Sequence, residues 1–484
     1  MQTLQPYTPP TITRHLSGQN SAANRNRHAH GLSSNVCERI EGVPVADLAA
    51  RFGSPLFVFS ERTLREKIQR AREAFESRYP STRFAWSYKT NYLNAICRVF
   101  HSEGSIAEVV SEFEYEKARR NGVAGRDIIF NGPHKTRAGL ELAVSEGAMI
   151  QVDNWDELLL LDAIAKETGR GIDIAIRCWL DAGILPVWSK FGFGVENGEA
   201  WRAIRRIAES KGRLNLQGLH THIGTYILEP NAYKVAAEKL ITLMERCRES
   251  YGWSLKYLNL GGGFPSLSTL HYSYQPAEQV VPPIEKYADA IAGALNTLPR
   301  DRRPRLYLES GRALVDEAGY LITSIVAVKQ SGASGPITLA GKAAKAPAYM
   351  PESNGAAYVI DTGINMLYSG NWYRFNVKPA KAQRESAQQP VKLYGCLCMN
   401  IDVIREQVSL PAMTTGDHLV MHPVGAYNIT QSMQFITYRP AVVMIGLDGR
   451  VDVIREREDL DYVQRLERVP EHLLTRRVID SSTP

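Results

Sequence analysis

Several short stretches of the sequence place chemically capable residues where a fold could use them. The run Phe84-Ala85-Trp86-Ser87-Tyr88 reads as a buried strand, and it ends on Lys89, followed by Thr90 and Asn91. An ammonium drawn into an apolar interior loses hydration unless it is paired or chemically altered. A Schiff base with an aldehyde cofactor is one such alteration. A lysine that ends its strand and reaches solvent is the plainer one. "GLHTHIGTY" (218–226) sets His220 and His222 two residues apart, on one face of a strand. No acidic or cysteine partner stands at metal-ligand spacing from them, so a planar imidazole lying against a cofactor ring competes with metal binding for His222, and His220 is read as a core histidine. "LNLGGGFP" (258–265) follows a strand with Gly261, Gly262 and Gly263, which can bring backbone N–H groups close to a phosphate or simply make a turn. "LYLESGRALV" (306–315) carries Glu309 and Arg312 at a strand end, where a surface ion pair is the simpler reading. "YGCLCMNIDV" (394–403) and "GAYNITQS" (425–432) supply a thiol, an aspartate and a tyrosine.

These residues need a scaffold that gathers them. From residue 60 the chain alternates strand-like segments (84–88, 106–110, 127–131, 149–153, 172–177, 216–222, 257–260, 305–309) with amphipathic runs such as 63–75, 155–166, 200–210, 232–247 and 284–298. Eight strands alternating with helices over about 250 residues is the count of a (β/α)8 barrel. An open doubly wound sheet is the alternative, favoured by a Gly-rich turn after the first strand, where this chain has Lys89 instead. In a barrel, functional groups sit at the C-terminal strand ends. Lys89, His222, Gly261-Gly262-Gly263 and Glu309 follow the first, sixth, seventh and eighth strands, which places four unusual features at equivalent ends. From Tyr320 short runs such as "YLITSIVAVKQ", "AAYVIDTG", "VKLYGCLC" and "AVVMIG" read as a second, β-rich domain. The expected division is a disordered tail at 1–34, a barrel at 60–318, a β-rich domain made of 35–59 and 319–470 with insertions at 332–355 and 378–390, and a tail at 471–484.

The bulk composition narrows the class. The chain has 484 residues, 44% of them hydrophobic, enough for two or three cores. Lys+Arg number 57 against 51 Asp+Glu, a surplus of +6 too thinly spread to indicate nucleic acid. No apolar run approaches the roughly 20 residues of a membrane span, and the polar N-terminal 35 residues lack the apolar core of a signal peptide. The six scattered cysteines have no zinc-site spacing and read as reduced thiols, so a cytoplasmic protein without membrane or nucleic-acid partners is expected.

The order of Lys89, "HTHIGT", "GGG", "ESGR", "CLCMNID" and "GAY" resembles the fold type III pyridoxal-phosphate (PLP) decarboxylases, the group of diaminopimelate and ornithine decarboxylases, over about residues 37–465, and the diaminopimelate branch most. The resemblance implies an α/β fold, a PLP-binding (β/α)8 TIM-like barrel with a β-rich, sandwich-like second domain, and a homodimer with two shared active sites. It implies that Lys89 forms the Schiff base and His222 stacks on the cofactor ring. It gives the phosphate to Gly261, Gly262, Gly263 and Thr225, with Arg312 and Tyr427 nearby, and pairs Glu309 with the pyridine nitrogen. Cys398 would come from the partner subunit as proton donor, with Asp402 shaping its loop. Arg312, Met399, Ser369 and Asp402 would meet the amino-acid substrate.

The chain departs from that pattern at informative places. Thr225 stands where the family usually has serine and keeps the hydroxyl; Ser310 replaces a usual proline. Met399 stands where an acidic residue usually faces the distal amine, and Ser369 near the position of an arginine that grips a distal carboxylate. Methionine cannot pair with an ammonium, and serine cannot make a bidentate clamp. The expected activity is therefore decarboxylation of an amino acid or an amino-acid-derived intermediate, releasing CO2 and an amine. The ordinary meso-diaminopimelate decarboxylase is the alternative, and an amino-acid racemase or a non-catalytic PLP-binding protein stand further off.

Overall fold

The computed structural model describes residues 36–271, 273, 275–330, 338–339, 342–343, 356–382 and 388–474. The expected N-terminal tail at 1–34, nearly all of the insertion at 332–355, the middle of that at 378–390 and residues 475–484 lie outside them. A short strand, β1 (Leu56–Ser60), leads into helix α1 (Glu61–Glu76). Ser60 caps that helix by accepting the Thr63 N–H at 3.0 Å, and its apolar stripe, Leu64, Ile68, Ala71 and Phe75, recurs every three or four residues and is buried. Eight parallel strands then follow: β2 (Thr82–Ser87), β3 (Ile106–Val109), β4 (Ile128–Phe130), β5 (Met149–Val152), β6 (Ile172–Trp179), β7 (Leu214–Thr221), β8 (Tyr257–Asn259) and β9 (Arg305–Ser310). Each pairs with the next and β9 pairs back onto β2, which closes the barrel. All eight strand segments expected from the sequence are present, within a few residues at their ends.

The interior of the barrel is layered. Ala85, Ile106, Ile129, Ala175, Tyr257 and Tyr307 come from six different strands and pack together with Met149, an apolar plug across the lower half. Side chains two residues further along a strand point the same way. Those positions hold Ser87, Glu108, Asn131, Gln151, Arg177, Asn259 and Glu309, all buried. A polar storey thus stands on the apolar one, at the end where the strands run out into loops.

The second domain is built on a twelve-residue strand, β10 (Gly319–Gln330). It pairs antiparallel with β1, with β11 (Ala356–Ile360) and with a strand at His418–His422. On its other edge β1 pairs in parallel with the strand Ala441–Ile445. The domain docks on the barrel mouth through the turn at 424–430. The Tyr427 N–H donates to the Thr90 carbonyl at 2.8 Å, Asn91 Nδ2 donates to the Gly425 carbonyl at 3.2 Å, and Thr430 Oγ1 donates to the carbonyl of Lys89 at 2.9 Å. Tyr427 has φ of 67°, a left-handed conformation that a non-glycine residue holds only where its surroundings enforce it.

Candidate active site

Lys89 sits in a short 3-10 turn that follows β2. The end of β3 places Glu108 opposite it, and Lys89 Nζ donates to Glu108 Oε1 at 2.8 Å and Oε2 at 2.6 Å. Burial alone would lower the pKa of Lys89, but Glu108, Glu309 and Tyr427 outweigh it and hold the pKa above its ordinary value. Glu309, at the end of β9, is buried and accepts from Asn131 Nδ2 at 2.7 Å and Asn259 Nδ2 at 2.6 Å. His220 Nε2 lies 3.4 Å from Glu309 Oε2 without hydrogen-bond geometry, so His220 is in the core as expected, but against the site's carboxylate. Burial opposes the ionisation of Glu309, and His220, Lys89 and the Asn131 amide reverse that, holding its pKa below the usual carboxylate range.

These groups open onto one cavity of about 340 Å³, which Lys89, Glu108, Asn131, Arg177, His222, Thr225, Gly263, Glu309, Arg312 and Tyr427 all line. The His222 ring is stacked on Trp188, with centroids 5.2 Å apart and planes at 26°. Burial first, then Arg177 and Lys89, holds the pKa of His222 well below its ordinary value, so the imidazole is neutral at pH 7. Arg177 is buried with Asp153 at 3.7 Å and its guanidinium over the Phe191 ring. Arg312 is buried between the rings of Tyr373 and Tyr427; its Nη1 is 3.4 Å from Asp316 Oδ2, and its Nε has no partner among the described residues.

Of the three consecutive glycines, only Gly263 lines the cavity. A Cβ on Gly261 would press on the Thr221 carbonyl and His222, and one on Gly262 would collide with the Glu309 carbonyl oxygen. Those two glycines let the β8 exit pack against its neighbours. Asp402 is also structural in its contacts: Oδ1 accepts the Ile364 N–H at 2.8 Å and Oδ2 the Leu397 N–H at 2.7 Å, which pins the loop that carries Cys398. Cys398 and Met399 are exposed and do not line the cavity of their own chain. Ser369 is buried with its hydroxyl on Asn428 Oδ1 at 2.9 Å and does not line the cavity. Ile401, in the same loop as Cys398, is exposed, and so are Met433, Phe435, Ile436 and Tyr438 on a segment whose residues 433 and 435 are tied to Asn365, next to the Asp402 contact at Ile364. Four buried residues at the heart of the site, Glu108, Asn131, Arg177 and Asn259, were not among those the sequence motifs indicated.

The residues present fit pyridoxal phosphate. They offer an amine for its aldehyde (Lys89), a buried carboxylate for its ring nitrogen (Glu309), and, for its phosphate, a buried guanidinium whose Nε is unpartnered beside Gly263. No cluster of metal-ligating side chains occurs among the described residues, and no helix among them is long and apolar enough to cross a membrane.

Comparison with known proteins agrees with this chemistry. Residues 63–316, more than half of the chain, match the family model described as pyridoxal-dependent decarboxylase, pyridoxal binding domain. The diaminopimelate decarboxylase of Methanothermobacter thermautotrophicus is 29% identical over 447 residues, 90% of this chain and 97% of that one. The Bacillus subtilis diaminopimelate decarboxylase is 29% identical over 458 residues, 92% of this chain and 96% of its own. The crystal structure of the Methanocaldococcus jannaschii diaminopimelate decarboxylase superposes with a TM-score of 0.77 at 28% identity, covering 90% of this chain and 96% of that one.

Proposed function

The chain belongs to the pyridoxal-dependent decarboxylases, and on that premise we propose that the cavity at the barrel mouth removes the α-carboxyl group of an amino acid as CO2, with the residues above in defined roles. One observation carries the reading: a single cavity joins Lys89 on Glu108, the buried Glu309 and the unpartnered Nε of Arg312. Bound pyridoxal phosphate supplies an electron sink for the pair of electrons left when CO2 departs. Lys89 Nζ is the atom that holds the cofactor covalently, and Glu108, in contact with it through both oxygens, is placed to take the proton that the amine must shed. Glu309 keeps negative charge at the bottom of the cavity, which favours a proton on the ring nitrogen. Neutral His222, backed by Trp188 and lining the cavity, would face the ring without adding a competing cation. Arg312, Thr225, Tyr427 and the backbone at Gly263, the one glycine of the three that lines the cavity, would hold the phosphate.

Cys398 returns a proton to the α-carbon, and it does so in the cavity of a second copy. The support is its place on the surface, on a loop pinned by Asp402 that also exposes Ile401, with exposed Met433, Phe435 and Ile436 on a segment tied to Asn365, apolar surface that a two-fold partner would cover. Met399 travels with Cys398 and presents a neutral thioether to the distal end of the substrate. With Ser369 turned onto Asn428, no bidentate cation stands at that position. Both features favour a substrate other than meso-diaminopimelate. The relatives' own activity, diaminopimelate decarboxylation, is the second reading. Six unpaired thiols suit a reducing compartment such as the cytoplasm.

The test has two parts. Borohydride treatment followed by mass spectrometry should find the pyridoxyl group on Lys89, and on another lysine it would overturn the site. Release of CO2 from a panel of amino acids should be much faster with some substrate other than meso-diaminopimelate; efficient formation of lysine from meso-diaminopimelate would establish the second reading instead.

A further inference from the structure

Asn131 directly follows the third barrel strand, β4, and is 2% exposed. Its side-chain nitrogen carries two hydrogens, and two carboxylates claim them: Glu309 Oε1 at 2.7 Å and Glu108 Oε1 at 3.0 Å. This fixes the orientation of the amide. Turned over, Asn131 would present its carbonyl oxygen to two carboxylate oxygens, with no hydrogen between them. In the orientation that remains, Oδ1 is buried and without a hydrogen-bond partner among the described residues, and Asn131 lines the cavity. A buried acceptor left without a donor is costly, and native folds seldom keep one without a use. The space that can supply a donor is the cavity itself.

The same residue closes a continuous chain of hydrogen bonds. Lys89 donates to Glu108, Asn131 donates to both Glu108 and Glu309, and Asn259 donates to Glu309. Ser87 Oγ adds a further donor to Glu108 at 2.5 Å. Among the described residues Asn131 alone donates to both carboxylates, so it sets the distance between the carboxylate beside the lysine and the carboxylate at the bottom of the cavity.

We propose that Asn131 is a positioning residue of this site, whose nitrogen holds Glu108 and Glu309 together and whose carbonyl oxygen accepts a hydrogen bond from a proton-bearing group of the occupant. The proposal rests on the decarboxylase reading above. Two groups have the right chemistry: the ring hydroxyl of the cofactor and the ammonium of an amino-acid substrate.

The experiment uses the full-length chain, stripped of cofactor and titrated with pyridoxal phosphate, for wild type and for Asn131→Ala, Asn131→Asp and Asn131→Ser. Binding is followed by tryptophan emission and by the long-wavelength absorbance of the bound cofactor, and folding by thermal melts. Asn131→Asp has nearly the same shape but offers oxygens to both carboxylates, so it separates lost hydrogen bonds from lost volume. If the donor is the ring hydroxyl, the Kd for pyridoxal phosphate rises about tenfold in the Ala variant and further in the Asp variant, the absorbance band shifts, and Ser recovers part of the loss. If the donor is the substrate ammonium, the cofactor Kd changes less than twofold in the Ala variant while KM rises about tenfold. Folded Ala and Asp variants that match wild type within twofold in Kd, KM and spectrum would overturn the proposal. A wild-type chain that takes up no pyridoxal phosphate would instead overturn the reading beneath it.

Discussion

Lys89 meets an aldehyde only as the free amine, and its pairing with Glu108 governs when that form exists. A lysine pKa raised by neighbouring anions leaves less free amine at neutral pH. Replacing Glu108 by glutamine removes the nearest anion and keeps the shape, so the pKa of Lys89 should fall. The rate at which the cofactor-free protein captures pyridoxal phosphate, measured by stopped-flow absorbance across pH, should then have its midpoint at least about one unit lower in Glu108→Gln than in wild type. A midpoint that stays in place or moves up would show that Glu108 does not control the protonation of Lys89. The pairing was not legible from "WSYKTN", because the partner comes from a strand nearly twenty residues later and only the barrel register sets Ser87 opposite Glu108.

At the scale of elements, the corners between strands and helices share a device. Ser111 accepts the Glu114 N–H at 3.2 Å, and Glu114 Oε2 reaches back to the Val110 N–H at 2.9 Å. Asn154 accepts the Glu157 N–H at 3.0 Å, and Glu157 Oε2 reaches back to Asp153. The two glutamates differ in company. Glu157 has the buried Lys135 at 2.8 Å, whereas Glu114 lies near Glu108, and burial first and that like charge second push its pKa up to about 7. Between the ordinary glutamate value of 4.5 and about 7, the folded chain keeps a proton there that the unfolded chain gives up. Stability attributable to this group therefore falls as pH rises through that window. Glu114→Gln keeps an acceptor for Val110 and removes the titration. In urea unfolding it should equal wild type near pH 4 and exceed it by about 3 kcal/mol at pH 8. Equal stability at pH 8 would refute the assignment. The eight strands were readable because each is a short apolar run bounded by turn residues. The polar storey above them was also within reach: Glu108, Asn131, Arg177 and Asn259 each stand two residues after an inward-facing Ile106, Ile129, Ala175 or Tyr257, so alternation along the strands points to them. Ser369 was not readable, since its turn toward Asn428 depends on how the second domain folds around it.

The whole molecule presents half of its proposed chemistry outward, with Lys89 in the cavity and Cys398 on the surface. In the proposed homodimer, Lys89→Ala and Cys398→Ala should each be severely impaired alone, and mixing them should restore about a quarter of wild-type activity. Random exchange makes half of the dimers mixed, and each mixed dimer has one site with neither lesion. No recovery, with subunit exchange confirmed by a labelled partner, would remove the shared site while leaving the barrel chemistry intact. A last consequence follows from strand β1, whose partners are Gly319–Gln330 on one side and Ala441–Ile445 on the other. A ribosome delivers "LFVFS" early, and the strands that cover it arrive roughly 260 and 385 residues later, at about 5–20 residues per second. For tens of seconds a five-residue apolar strand, fully buried in the finished fold, waits with both edges open. All eight barrel strands are made before Gly319 appears, while this segment has yet to meet either partner. A chain cut after residue 318 should be insoluble, and the same fragment with Phe57 and Val58 changed to Thr and Lys should be recovered in the supernatant after centrifugation.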